Sequence, residues 1–134
     1  MNRRSFLLTS SAVLVAGPAL AMTDYTPGLV QAELAAGKTV FIDFGADWCS
    51  TCAAQERAIT ALRAENPAYD ANISFVLVDW DDYKNAELTK SLGIPRRSTL
   101  VVLKGNQELG RIVAGTSKAQ IQGLMDTALA AATA

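Results

Sequence analysis

The chain of 134 residues has no histidine, two cysteines, four prolines and few aromatic residues. Each scarcity excludes something. Zinc needs about four ligands, and a chain with no histidine and no second cysteine pair cannot readily supply them. The twelve basic and thirteen acidic residues nearly cancel, and no basic stripe with interleaved aromatics runs along the sequence, which argues against nucleic-acid binding. The longest leading apolar stretch, Phe6 to Ala16, is too short for an ordinary membrane span. A chain with one lone cysteine pair is not a disulfide-stapled scaffold, so its core must stand without cross-links.

The first residues look like an address. Asn2-Arg3-Arg4-Ser5-Phe6-Leu7-Leu8 leads into the apolar stretch, followed by Gly17-Pro18 and Ala19-Leu20-Ala21. Charge, a short apolar core and an A-x-A site in that order describe a secretory signal peptide over residues 1–21, cleaved after Ala21. The paired arginines and the mild apolar core favour a twin-arginine signal over a general secretory one. That route carries folded proteins, so a cofactor could be inserted before export. The expected location is the periplasm. The mature chain, residues 22–134, is long enough for one domain with one core and is mildly acidic, with ten basic residues against thirteen acidic ones once Arg3 and Arg4 are removed.

What is present is concentrated in Trp48-Cys49-Ser50-Thr51-Cys52, which holds both cysteines. Two thiols separated by two residues, just after an apolar run, suggest a reversible dithiol/disulfide switch. If Cys49 caps a helix, its sulfur lies near unpaired N–H groups and the positive end of the helix dipole, which favour the thiolate. Cys52, one turn further in and less exposed, is placed to attack a mixed disulfide formed at Cys49. A structural bridge closing so short a loop would gain little chain entropy.

Around this motif the pattern alternates. A helix is expected with Thr26 as its N-cap and Pro27 at its first position, stopping at Gly37, then a buried strand over Thr39 to Phe44. A helix follows from about Ser50 to Glu65, with Ile59 and Leu62 inward, stopped by Asn66-Pro67. Ile73 to Val78 is a second strand, and a helix capped by Asp81 or Asp82 runs through Leu92 to Gly93. Thr99 to Leu103 and Glu108 to Val113 form a hairpin about Gly105-Asn106, and Ser117 caps a last helix containing Ile121, Leu124, Met125 and Leu129. The order α-β-α-β-α-β-β-α implies parallel neighbours with an antiparallel hairpin at one edge.

That order, with the cysteine pair opening the helix after the first strand, resembles the thioredoxin fold: an α/β fold with a central mixed sheet flanked by helices. The resemblance covers nearly all of residues 25 to 131 and is strongest over Val40-Phe41-Ile42-Asp43-Phe44-Gly45-Ala46-Asp47-Trp48-Cys49-Ser50-Thr51-Cys52. It implies that Asp43 lies buried behind the active site and assists proton transfer while the mixed disulfide is resolved. A carboxyl whose pKa is raised by burial suits that task. The Ala-Asp-Trp-Cys-x-x-Cys wording, with Glu56 four residues after Cys52, is closest to the C-terminal thioredoxin-like domain of membrane thiol reductases of the DsbD type and their small exported relatives. There the glutamate at the Glu56 position tunes the thiols. Trp48 is expected to wall the site and shield the sulfurs.

The sequence departs from the family near Gly93-Ile94-Pro95-Arg96-Arg97-Ser98-Thr99-Leu100. Thioredoxins carry a cis-proline facing the cysteines just before this strand. Anchoring on Thr99-Leu100 puts Ser98 there; the competing register uses Pro95. A serine bond should be trans, since a non-proline cis peptide costs about 2.5–4 kcal/mol. Ser98 would place an N–H and a hydroxyl beside Cys49, where a proline ring supplies neither. Arg97, with Arg96, could add positive potential, and Thr99 completes the candidate substrate-binding set of Trp48, Arg97, Ser98 and Thr99.

The resulting expectation is an exported thiol–disulfide oxidoreductase, more reductant than oxidant because no histidine lies between the cysteines. Cys49, Cys52, Asp43 and Glu56 form its catalytic set. The redox-active disulfide serves in place of a cofactor, an oxidised exported protein is the client, and a membrane thiol reductase is the electron donor. The alternative is a thioredoxin-fold module that binds a metal or iron–sulfur cluster through Cys49 and Cys52, which Ser98 in place of proline would admit.

Overall fold

The computed structural model describes residues 21–134. Apart from Ala21, the expected leader lies outside the described residues. The elements are β1 (Thr23–Asp24), α1 (Leu29–Ala35), β2 (Thr39–Gly45), α2 (Ser50–Glu65), α3 (Ala68–Asn72), β3 (Ile73–Asp79), α4 (Trp80–Tyr83), α5 (Glu87–Ser91), β4 (Thr99–Lys104), β5 (Gln107–Val113) and α6 (Lys118–Ala132). The five strands lie in the order β1-β3-β2-β4-β5. β1, β3 and β2 run parallel, while β4 and β5 add the antiparallel side. This is the mixed sheet of a thioredoxin fold.

Strand β2 is the centre of the molecule, buried at all seven positions because it has a neighbour on each side and helices on both faces. Alternation divides its residues between two cores. Phe41 joins Phe75, Leu100 and Val102 against Ile59 and Leu62 of α2 and Ile121, Leu124 and Met125 of α6. Val40, Ile42 and Phe44 join Val76, Val78 and Val101 on the opposite face, against Val30 and Leu88. Asp43 has the parity of Phe41 and therefore falls on the α2 face of the sheet.

Helix α2 occupies the residues expected of it, with Cys49 as N-cap and Asn66 as C-cap. Ser117 caps α6 by accepting from the Gln120 N–H. Three expectations need correction. Helix α1 starts at Leu29, behind a left-handed Gly28, and the Thr26 carbonyl accepts from the Leu29 N–H, so Pro27 lies in the turn before the helix. The single helix expected between Asp81 and Leu92 is two short ones. Asp79 makes the cap, accepting from the Asp81 N–H, and the Ala86 N–H bonds back to Tyr83 where the chain turns between them. The two-residue edge strand β1 and the one-turn helix α3 were not expected; neither is long enough to show a period.

Because Phe41 is fully buried between sheet and helices, Phe41→Ala should destabilise the fold by about 3–5 kcal/mol, the usual range for emptying an aromatic site in a core. Urea unfolding of the variant and the parent checks this.

Candidate active site

The antiparallel pairing of β2 and β4 sets Phe44 opposite Thr99. The segment leaving the C-terminal end of β2 therefore lies beside the segment entering β4. The first carries Trp48 and Cys49 into α2; the second is Pro95–Ser98. Gly45 closes β2 where an added Cβ would meet Asp43 Oδ1 at 3.2 Å, so a glycine there leaves the carboxylate its space.

Cys49 occupies the N-cap of α2 in extended backbone, and its Sγ accepts from the Cys52 N–H at 3.2 Å. The expected difference in exposure between the cysteines is absent. Cys49 is 3% exposed and Cys52 5%, because both sulfurs turn in against the loop before β4. Both are free thiols. The residue facing them is Ser98, whose Oγ lies 3.2 Å from Cys49 Sγ and 3.0 Å from Cys52 Sγ. Pro95 is exposed, and the described residues contain no cis peptide bond. One part of the expectation fails: the Ser98 N–H does not face Cys49 but donates to the Phe44 carbonyl at 2.7 Å. Only the hydroxyl is left for sulfur.

Ser98 sits at φ +64°, a left-handed conformation that costs a non-glycine residue roughly 1–2 kcal/mol. The compensation is visible. Its carbonyl accepts from the Ala114 N–H at 2.8 Å and from Gln55 Nε2 at 2.9 Å, and Gln55 also donates to the Gly115 carbonyl at 3.0 Å. Gln55 is fully buried and was not singled out from the sequence. The available signal was an amide on the inward stripe of α2 shared by Cys52, Ile59 and Leu62. Thr99, expected to contact substrate, is instead buried, and its hydroxyl closes the loop by donating to the Arg96 carbonyl at 2.7 Å.

Trp48 forms the rim. It is 59% exposed, so it is not packed over the sulfurs as a buried lid. Its indole N–H donates to Asp81 Oδ2 at 2.9 Å, and the Arg97 guanidinium stacks 4.5 Å from the ring centre. Behind the thiols a cleft of about 140 Å³ is lined by Asp43, Cys52, Glu56, Asp47 and Asp79, among others. Asp43 is 3% exposed and its Oδ1 has no hydrogen-bond partner among the described residues; Glu56 is exposed at the mouth.

These placements set the charges. Burial alone would push the Cys49 thiol up. Hydrogen bonds from the Cys52 thiol, the Ser98 hydroxyl and the Cys52 N–H, with a further contribution from Arg97, outweigh it and bring the pKa down to about 6. Cys52 is raised, first by burial and then by its hydrogen bond to Cys49. Asp43 is raised to about 7, chiefly by burial, with Glu56 and Cys49 adding negative charge nearby. At neutral pH the site thus holds a thiolate nucleophile, a protonated second thiol and a carboxyl able to take a proton. Among the described residues no group of three or more His, Cys, Asp or Glu is arranged to hold a metal ion. A metal or cluster on Cys49 and Cys52 would need ligands from elsewhere.

Comparison with known proteins agrees with this geometry. Residues 23–127 match the Thioredoxin family. The chain belongs to the thioredoxin family. It is 40% identical over 78 residues to thioredoxin H-type of Fagopyrum esculentum, covering 58% of this chain and 61% of that one. It is 31% identical over 117 residues to thioredoxin-2, mitochondrial, of Schizosaccharomyces pombe, covering 87% and 78%. The crystal structure of Trxlp from Edwardsiella tarda superposes with a TM-score of 0.66 at 30% identity, covering 78% of this chain and 98% of that one. The chain spans 60% and 61% of the length of two curated thioredoxins it matches, from rice and Fagopyrum. Family, fold and the two adjacent thiols place this site among those of thioredoxin-fold dithiols.

The buried Asp43 has a consequence for stability. Its folded pKa of about 7 lies above the unfolded value of 3.8, so between those values the native state holds a proton that the unfolded chain has released. Stability should therefore fall as pH rises from about 4 to about 7, by up to about 4 kcal/mol. Asp43→Asn should abolish that slope and be the more stable protein at pH 8, as followed by denaturant unfolding at several pH values.

Proposed function

We propose that the protein is a periplasmic thiol–disulfide oxidoreductase acting as a reductant of exported proteins. The observation that carries the exchange reading is the N-cap position of Cys49, its sulfur within hydrogen-bond reach of the Cys52 N–H and the Ser98 hydroxyl. The Cys49 thiolate attacks one sulfur of a client disulfide, and the other client sulfur leaves as a thiolate. Cys52 then loses its proton to Asp43 and attacks Cys49 Sγ, which releases the client and leaves the Cys49–Cys52 disulfide. Glu56, at the mouth of the same cleft, connects Asp43 to solvent protons. No cofactor is required, because the cysteine pair carries both electrons.

The periplasmic part of the proposal rests on Arg3-Arg4, the mild apolar stretch and Ala19-Leu20-Ala21. No helix among the described residues is long and apolar enough to cross a membrane. The reductant direction rests on the absence of a histidine between the cysteines and on the DsbD-like wording about Trp48 and Glu56. A membrane thiol reductase would then recharge the pair, and an oxidised exported protein is the client. Clients would enter over Trp48 and Arg97, the exposed indole and the cation stacked on it.

The purified protein should reduce insulin in the presence of a dithiol, and Cys49→Ser should lose at least about a hundredfold of that rate, since it removes the nucleophile outright. Absence of turnover in the parent, even with a membrane thiol reductase supplied, would overturn the reading.

A further inference from the structure

The Ser98 hydroxyl has one hydrogen and two sulfur neighbours, at 3.2 Å and 3.0 Å. A hydroxyl donates once and can turn about its C–O bond to choose its acceptor. Both sulfurs become anionic during exchange, but at different times. We propose that Ser98 is a catalytic residue whose single hydroxyl hydrogen follows the negative charge from Cys49 to Cys52.

The proposal rests on the dithiol-exchange reading and adds a group to it. Before the client arrives, the Cys52 S–H and the Ser98 Oγ–H both donate to the Cys49 thiolate. Attack by Cys49 breaks the client disulfide and sends its electron pair off on the second client sulfur. Cys49 is then a neutral mixed disulfide and needs no donor. As Cys52 yields its proton to Asp43, the Ser98 O–H turns to the new Cys52 thiolate and holds it beside the Cys49–client bond. Attack breaks that bond, forms Cys49–Cys52 and releases the client thiolate. Ser98 transfers no proton and ends the cycle as it began.

The architecture suits a rotor on a fixed axle. The Ser98 N–H is held by Phe44, and its carbonyl by Ala114 and Gln55, so the backbone is clamped while the hydroxyl is free to turn. The positive φ at Ser98 is retained in spite of its cost. A proline here would have no donor to offer either sulfur.

The test uses Ser98→Ala and Ser98→Gly. Both lose the hydroxyl, but alanine keeps the strained backbone and glycine relieves it, so stability should diverge while the chemistry agrees. The glycine variant also keeps the test open should the alanine one fold poorly. Asp43, Asp47, Glu56, Asp79 and Arg97, the charged groups around the sulfurs, are unchanged in both. Ultraviolet titration of thiolate in the reduced protein should show the Cys49 pKa higher by about one to two pH units. In a Cys49→Ala background, where Cys52 is the only thiol, adding either Ser98 substitution should raise the Cys52 pKa in the same way. Single-turnover reaction with a chromogenic aromatic disulfide should show release of the second aromatic thiol slowed about three- to tenfold. That loss is smaller than the pKa change implies, because a more basic thiolate is also the better nucleophile. A rise at Cys49 with none at Cys52 would make Ser98 a fixed donor to the first cysteine and overturn the proposal. No rise at either would make the hydroxyl a packing group and overturn it too. Neither readout requires a protein client, so failure here leaves the insulin result to stand or fall separately.

Discussion

Strand β4 enters the sheet antiparallel to β2, and that pairing assembles the site. It sets Thr99 opposite Phe44, and the preceding Ser98 N–H reaches back to the Phe44 carbonyl. The two ends so joined bring different things. From β2 come the turn through Trp48 and the cap of α2, hence a thiolate at the positive end of a helix. From β4 comes a loop held in a left-handed turn, hence a hydroxyl directed at that thiolate. The Phe44–Ser98 bond anchors the loop on the sulfur side and holds its donor against the thiols. Gln55 reinforces the same junction from beneath, tying Ser98 to Gly115 after β5.

The electrostatics of the site follow from what the alternation of β2 places beneath α2. Phe41 and Asp43 share a face, one anchoring the core and the other ending in a cleft with three further carboxylates, those of Asp47, Glu56 and Asp79. Among the described residues no lysine, arginine or histidine lines that cleft. A carboxyl in such a place is raised because its charged form would be buried and repelled. The Cys49 thiolate is part of the repulsion, so nucleophile and base are coupled. Once Cys49 passes into a mixed disulfide its charge is gone, and Asp43 ionises more readily at the moment a base is wanted.

Much of this was legible in the sequence, for physical reasons. The run from Val40 to Phe44 has the continuous apolar character of a buried central strand, and an acid within such a strand is hard to explain as structure alone. Cys49 at the head of a helix followed from the stop at Asn66-Pro67 and the apolar spacing of Ile59 and Leu62. The position of Ser98 followed from matching Thr99-Leu100 to the strand. What escaped was decided by tertiary contact. Nothing local in Ser98 reveals that its N–H is spent on Phe44, or that its hydroxyl touches two sulfurs rather than one. Gln55 is an ordinary helix residue until β5 and the loop close over it. The exposure of Trp48 depends on Asp81, 33 residues away, which holds its indole at the rim.

The hydrogen bonds at the sulfurs also bear on the direction of electron flow. Any interaction that stabilises the Cys49 thiolate exists only in the reduced state and vanishes when the Cys49–Cys52 bond forms. Such bonds raise the potential, as extreme thiolate stabilisation does in the strongest dithiol oxidants. The Ser98 hydroxyl, the Cys52 N–H and Arg97 all pull that way. The carboxylates behind Cys52 pull in the opposite sense, since they penalise negative charge on either sulfur and are relieved by oxidation. Their effect grows as Asp43 loses its proton near pH 7, so a rise in pH through that value strengthens the drive to give electrons away. Ser98 and Asp43 are therefore opposed controls on one pair of thiols. A reductant with this site relies on Asp43 to offset the thiolate stabilisation that makes Cys49 fast.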